Sequence, residues 1–75
     1  MDLREVFANN LRRLRHTKGI SQDELALSAD VSRSYLSQLE KGSFHVSIKI
    51  IGKLSKTLGV EPEEFLRRTA KRRSR

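Results

Sequence analysis

Apolar residues recur along this chain at the spacing of one helix face, in blocks separated by short polar breaks. The first block predicts a helix from about Leu3 to Lys18, which Gly19 is well placed to end. Its buried stripe recurs at intervals of three and four residues and consists of Leu3, Phe7, Leu11 and Leu14.

A later block predicts a helix that is capped by Ser47 and ended by Gly59. A further short helix is predicted to begin at Pro62, because proline suits the first helical position. Glu63 and Glu64 would then lie in its first turn, where the helix dipole favours acidic side chains. The buried stripe of the longer helix is expected to consist of Ile48, Ile51, Leu54 and Leu58.

Two shorter helices are predicted between these blocks, within residues 21–42. Ser21 and Glu24 have the spacing of a capping box, in which each side chain accepts a hydrogen bond from the other residue's backbone amide. The first of the two helices is therefore predicted over residues 22–29. Asp30 follows at the turn, because aspartate tolerates the left-handed backbone conformation better than most residues.

The second of these helices is predicted over residues 33–41, with Ser32 as its cap and Gly42 at its end. Leu36 and Leu39 share one side of it and leave a polar face opposite. That face comprises Ser34, Ser37, Gln38 and Lys41, with Arg33 and Tyr35 beside it. The chain is thus predicted to be all-α, a compact five-helix bundle with a helix-turn-helix at helices 2 and 3.

The polar face of helix 3 carries side chains that are suited to DNA bases. Arginine can donate two hydrogen bonds to guanine, and glutamine can form two hydrogen bonds with adenine. Hydroxyl groups can either donate or accept a hydrogen bond. An ordinary solvated helix face is the alternative that the residues alone leave open. Base contacts are predicted for Arg33, Ser34, Tyr35, Ser37 and Gln38.

The stretch 21–42 resembles the helix-turn-helix of the phage repressor and Cro family. Gln22 opens the first motif helix and Ala26 holds its small position. The apolar motif positions are held by Val31, Leu36 and Leu39. The resemblance extends from about Val6 to Leu66, and it is especially close to stand-alone bacterial regulators, including restriction-modification controller proteins.

This resemblance implies a lambda-repressor-like DNA-binding domain with helix 3 in the major groove. It also implies that Arg15 and Glu40 pair in a partly buried salt bridge. Asp30 departs from the family pattern, since many relatives carry glycine at this turn. For His45, an exposed loop position without a role is the alternative. Contacts with DNA phosphates are implied for Ser21, Gln22, Lys41, Ser43 and His45.

The net charge of +7 is concentrated at the C-terminus. Six basic residues and no acidic ones lie in 67–75, which leaves a net charge of +1 for residues 1–66. We therefore predict a helix-turn-helix domain over 1–68 and a basic flexible tail over 69–75. Within the domain the charges are segregated, which fits a protein that approaches phosphate from one direction. The basic cluster is Arg12, Arg13, Arg15 and Lys18, and the acidic one is Glu61, Glu63 and Glu64.

Several classes of protein are disfavoured by composition. The chain has no cysteine and no apolar run of membrane-spanning length, so a cytoplasmic, nucleoid-associated location is expected. It has no spaced catalytic trio, glycine-rich phosphate loop or cluster of metal ligands. We therefore expect no enzymatic activity, no cofactor and no metal.

The combined prediction is a sequence-specific regulator of transcription that binds double-stranded DNA as a homodimer on a short pseudo-palindromic operator. Autoregulation is the simplest mode of control, and no small-molecule effector is expected. An antitoxin-like or adaptor module, with only weak nonspecific DNA binding, is the alternative. Binding of single-stranded RNA is disfavoured by the shortage of aromatic residues. A weak dimer interface is predicted at Ile50, Phe65 and Leu66. Phe65 is expected mainly in the core, and Ile50 is expected to have spare apolar surface because it lies off the main stripe of its helix.

Overall fold

The computed structural model describes residues 2–68, and within that range it contains four α-helices and no strand. The elements are α1 (Leu3–Lys18), α2 (Gln22–Ala29), α3 (Arg33–Glu40), α4 (Ile48–Leu58) and a 3-10 turn (Pro62–Leu66). The predicted all-α class is confirmed, and Lys41, expected inside α3, is its C-cap. No helix in the described range combines the length and apolarity needed to cross a bilayer. The tail predicted over 69–75 lies outside the described residues.

The prediction of a fifth α-helix is wrong, because the last element is a 3-10 turn of five residues. Its backbone bond runs from the Glu64 amide to the Glu61 carbonyl, at 3.0 Å. The buried Asn10 side chain donates from its amide to the carbonyls of Phe65 (2.8 Å) and Arg67 (2.7 Å). Asn10 on α1 therefore binds carbonyl groups at the end of this element and fixes the turn against the bundle.

The helix ends of the motif follow the sequence prediction closely. Ser21 accepts a hydrogen bond from the Glu24 amide at 3.0 Å, and Glu24 accepts one from the Ser21 amide at 2.9 Å. Asp30 adopts the left-handed conformation with φ 59° and ψ 51°. Ser32 then caps α3 by accepting from the Tyr35 amide at 3.0 Å. These local bonds fix where α2 stops and where α3 starts.

The core lies where the four helices and the 3-10 turn meet. It is filled by large apolar side chains with almost no exposed surface: Phe7, Leu11, Leu25, Leu36, Leu39, Leu54, Leu58 and Phe65. The rings of Phe7 and Phe65 pack with their centroids 5.2 Å apart. Because Leu36 and Leu39 are fully buried, the opposite side of α3 is directed outward.

Two members of the predicted buried stripes are exposed instead. Leu3 retains 54% of its accessible surface and Ile48 retains 84%. Each is the first residue of its helix, so it lies beyond the edge of the core. At roughly 100° per residue, Ile48 also lies about 100° from the direction shared by Leu54 and Leu58. Helical spacing alone therefore overestimated the length of both stripes.

A buried carboxylate at the end of α3 joins three helices. Glu40 is only 3% exposed, and its two carboxylate oxygens accept hydrogen bonds from Arg15 of α1 at 2.7 and 3.0 Å. Gln22 of α2 donates from its side-chain amide to the same carboxylate at 3.0 Å. Arg12 donates to the Glu40 backbone carbonyl, and Arg15 also donates to the Ile20 carbonyl. The salt bridge that the family resemblance implied is thus present, with Gln22 as an additional donor.

These contacts determine the ionisation of the pair. Burial by itself would raise the pKa of Glu40, but the hydrogen bonds from Arg15 and Gln22 and the nearby arginine charges lower it below its ordinary value. The hydrogen bond with Glu40 raises the pKa of Arg15. Glu40 is therefore held as a carboxylate at neutral pH, with a positively charged partner.

Replacing Arg15 by alanine should lower the free energy of unfolding by about 3 kcal/mol, because the Glu40 carboxylate would remain buried without its cation. Denaturant unfolding at neutral pH measures this loss. Arg4→Ala is the matched control, since Arg4 pairs with Asp2 at the surface and should cost less than about 1 kcal/mol. Equal losses for the two variants would contradict the structural role of Arg15.

The same pair predicts a dependence of stability on pH. Because the pKa of Glu40 is lower in the folded state, its stabilisation is complete above its ordinary value of 4.5 and is lost as the pH falls through the folded pKa. Glu40→Gln should be less stable at pH 7 and lose less stability on acidification below pH 4.5. Asp2→Asn is the control: the pKa of Asp2 is also lowered, by its hydrogen bond with Arg4, but exposed pairs contribute little to stability, so this variant should keep an acid profile close to that of the wild type. An unchanged acid profile for Glu40→Gln would contradict the assignment.

Candidate nucleic-acid interface

The outward side of α3 gathers four of the five side chains that were predicted to contact bases. A single shallow hollow on the protein surface is lined by Arg33, Ser34, Ser37 and Gln38. Arg33 and Ser34 are exposed, and Ser37 and Gln38 are half-buried. The hollow thus presents hydrogen-bond donors and acceptors on the face opposite the buried Leu36 and Leu39.

Tyr35, the fifth predicted base contact, lies to one side of this hollow. Its half-buried ring packs against the core and faces Phe44, with the two ring centroids 6.1 Å apart. Phe44 belongs to the loop that follows α3. The ring of Tyr35 therefore connects the start of α3 with that loop, in addition to any contact that its hydroxyl group makes.

Asp23 is a residue of this surface that the sequence analysis missed. Its Oδ1 atom lies 3.0 Å from Nε of Arg33, and both side chains are mostly exposed. Asp23 is in the first turn of α2 and Arg33 is in the first turn of α3. The two residues lie in different helices, so the spacing of residues along one helix does not pair them. Only the fixed geometry of the two-helix motif could have indicated this contact.

The side chains predicted to contact phosphates are mostly exposed. Among them Gln22 differs, because it is half-buried and donates one amide hydrogen bond to Glu40. Its second amide hydrogen and its carbonyl oxygen are not part of that bond. The others surround the ends of α2 and α3 and are Ser21, Lys41, Ser43 and His45.

The basic cluster expected at the end of α1 is mostly engaged with the protein itself. Arg15 is bound to Glu40, and Arg12 donates to the Glu40 backbone and to Asn9. Arg13 donates to Asn10 at 3.0 Å. The three arginines of the cluster are therefore only partly available to phosphate, because each already donates to acceptors within the protein.

No three His, Cys, Asp or Glu side chains within the described range lie close enough together to hold a metal ion. The chemistry available at the surface of α3 is hydrogen bonding by arginine, serine and glutamine. These groups recognise acceptors and donors on base edges.

Comparison with known proteins agrees with this geometry. A family model described as helix-turn-helix matches residues 11–65. Control protein C.BamHI of Bacillus amyloliquefaciens is 39% identical over 66 residues, which cover 87% of this chain and 82% of that protein.

Two solved structures are similar in both fold and sequence. The restriction-modification controller protein C.AhdI from Aeromonas hydrophila has a TM-score of 0.80 and 40% identity, with 83% of this chain and 94% of that chain covered. The clp gene regulator ClgR from Corynebacterium glutamicum has a TM-score of 0.81 and 38% identity, with 85% of this chain and 68% of that chain covered. The chain therefore belongs to the helix-turn-helix family and is a DNA-binding transcriptional regulator.

Proposed function

We propose that this regulator binds a short pseudo-palindromic operator as a homodimer, with α3 of each protomer in the major groove of one half-site. The observation that carries the proposal is the hollow on α3, which groups an arginine, two serines and a glutamine on the exposed side of a helix whose other side is buried. Side chains of these types hydrogen-bond to base edges in the major groove.

Each side chain in the hollow has a distinct role in this proposal. Arg33 lies at the N-terminal end of α3, the end that meets base edges in helix-turn-helix proteins, and would bond to O6 and N7 of a guanine. Gln38 would bond to N6 and N7 of an adenine. Ser34 and Ser37 would donate to or accept from neighbouring bases, and Tyr35 would add an apolar contact with a thymine methyl group.

Phosphate contacts on either side of the groove would set the register of α3. Ser21 and Gln22 lie at the N-terminus of α2, where free amides and the helix dipole attract an anion. On the other side, the exposed residues of the loop after α3 would contact the backbone. These are Lys41, Ser43 and His45.

One protomer reads too little DNA for useful specificity. The described residues measure 36 × 23 × 18 Å and contain one helix of this kind, which reads only a few base pairs. A two-fold dimer would place two copies of α3 on half-sites about 34 Å apart, one turn along the duplex.

An apolar groove that begins at the loop after α3, where Phe44 and His45 line it, supports this dimer. Four of the five large apolar side chains that are exposed in the described residues line it: Leu3, Phe44, Ile48 and Leu66. The same surface continues across Ile51 and Pro62. Contiguous apolar patches of this kind mark association surfaces. A second copy of the chain, which presents the same groove, is the proposed occupant.

The groove revises the predicted interface residues. Leu66 lines it, as expected for an interface residue. Phe65 is fully buried and cannot contact a partner, and Ile50 packs against the core. Ile50 lies only about 60° from the buried direction of α4, so it is half-buried, and Ile48 provides the exposed side chain.

Control by the concentration of the protein follows from a dimeric binding form, since dimerisation is governed by mass action. The relative from Bacillus amyloliquefaciens is named a control protein, which supports a similar role here. We infer that the dimer acts at the nucleoid, regulates its own promoter and needs no small-molecule effector. If the expression of a reporter fused to this promoter does not change with the level of the protein, autoregulation is contradicted.

Selection of bound duplexes from a random library tests the recognition surface. The wild-type protein should select a palindromic consensus. Arg33→Ala should lose about 1–3 kcal/mol of discrimination at one symmetric pair of positions, because a bidentate base contact is removed. Lys41→Ala is the control: it should weaken binding to all duplexes alike and reduce the salt slope of the dimer by about two units, one for each protomer. A consensus unchanged by Arg33→Ala would contradict the assigned role of Arg33.

A charge in the apolar groove should separate the protomers. Ile48→Glu should be monomeric at low micromolar concentration by size exclusion with light scattering, because the glutamate would be buried against the partner. Leu27→Glu is the matched control, since Leu27 has the same 84% exposure as Ile48 but lies on α2, outside the groove. Leu27→Glu should unfold at the wild-type temperature, and Ile48→Glu should unfold at a lower temperature only by the stabilisation that dimerisation adds.

The dimer proposal depends on the difference between these two variants. A dimer that persists in Ile48→Glu, or that is lost equally in Leu27→Glu, would place the interface elsewhere. A wild-type protein that is monomeric both free and on its operator would refute the dimer itself.

A further inference from the structure

The ion pair between Asp23 and Arg33 lies on the proposed DNA-reading surface, where it contributes little to the free energy of folding. The Arg33 side chain is 65% exposed and that of Asp23 is 74% exposed. Ion pairs with this much solvent contact contribute little to folding. An acidic side chain at this place also opposes the approach of DNA phosphate. Its presence beside Arg33 therefore calls for a role in recognition.

The position of the contact on the guanidinium group suggests that role. Asp23 approaches Nε, the nitrogen next to the aliphatic stem, at 3.0 Å. The two terminal nitrogens, Nη1 and Nη2, form the other end of the planar fork. A guanine accepts two parallel hydrogen bonds from such a fork through O6 and N7. A carboxylate this close to Nε attracts the group on the side of its aliphatic stem, while the Arg33 side chain as a whole stays 65% exposed.

We infer that Asp23 is a positioning residue that makes Arg33 selective for guanine. It restricts the rotamers of the Arg33 side chain and offsets its charge, which reduces the attraction of Arg33 to phosphates of any sequence. Its carboxylate also disfavours DNA that offers Arg33 no compensating acceptors. The inference rests on the proposed function, and it adds that each half-site contains a guanine opposite Arg33.

Three duplexes test this inference in a binding titration with wild-type protein and Asp23→Asn. They are the library-selected operator, the same operator with 7-deazaguanine opposite Arg33, and an unrelated duplex. The 7-deaza base lacks the N7 acceptor and keeps the Watson–Crick pair. Asp23→Asn should bind the unrelated duplex more tightly, and its preference for guanine over 7-deazaguanine should fall by about two- to fivefold, the range of an exposed ion pair.

Glu24→Gln is the matched control. Glu24 shares the first turn of α2 with Asp23 and is also exposed, so its replacement removes the same charge from the same helix end. Glutamine preserves the capping box. This variant should shift binding to all three duplexes by one common factor. The melting temperatures of both variants should match the wild type, since neither side chain is buried.

A double-mutant comparison separates positioning from simple charge. In an Arg33→Ala background, Asp23→Asn should leave the preference between the guanine and 7-deazaguanine duplexes unchanged, because the residue it positions is gone. A reduced preference in that background would overturn the inference. So would an Asp23→Asn variant that shifts all three duplexes equally, as Glu24→Gln does. A wild-type protein that binds operator and unrelated duplex alike would overturn the proposed function as well.

Discussion

The buried carboxylate of Glu40 is the constraint on which the rest of the structure depends. A charge at 3% exposure is stable only with a cation and further hydrogen bonds around it. Arg15 and Gln22 provide these from α1 and α2, so a single side chain fixes the angle of α3 against both helices. The outward orientation of the hollow is a consequence of this network together with the burial of Leu36 and Leu39.

Much of this arrangement could be predicted from the sequence, because the signals are local. The capping box at Ser21, the left-handed turn at Asp30 and the cap at Ser32 set the ends of α2 and α3, and they depend on residues within a few positions of each other. The shared face of the four hollow residues follows from helical periodicity. The salt bridge between Arg15 and Glu40 was available only through the family resemblance.

The features that were missed depend on contacts between elements distant in the sequence. Asn10 binds carbonyls more than fifty positions away and holds a 3-10 turn where an α-helix was expected. Ile48 is exposed because the core ends before the first turn of α4, which no periodicity reveals. The pairing of Asp23 with Arg33, and the use of the α1 arginines inside the protein, likewise require the packed arrangement. Net charge was therefore a weaker guide to the proposed DNA-binding side than the geometry of α3.

Tethered cleavage measures most directly whether the hollow of α3 enters the major groove. The chain has no cysteine, so a single cysteine at Ser34 can carry an iron chelate that cuts nearby DNA. The account predicts two clusters of cuts on the operator, centred in the major groove and about 34 Å apart, and none from a chelate at Thr57 on α4. Cuts spread evenly along the duplex, or equal cutting from both positions, would contradict it.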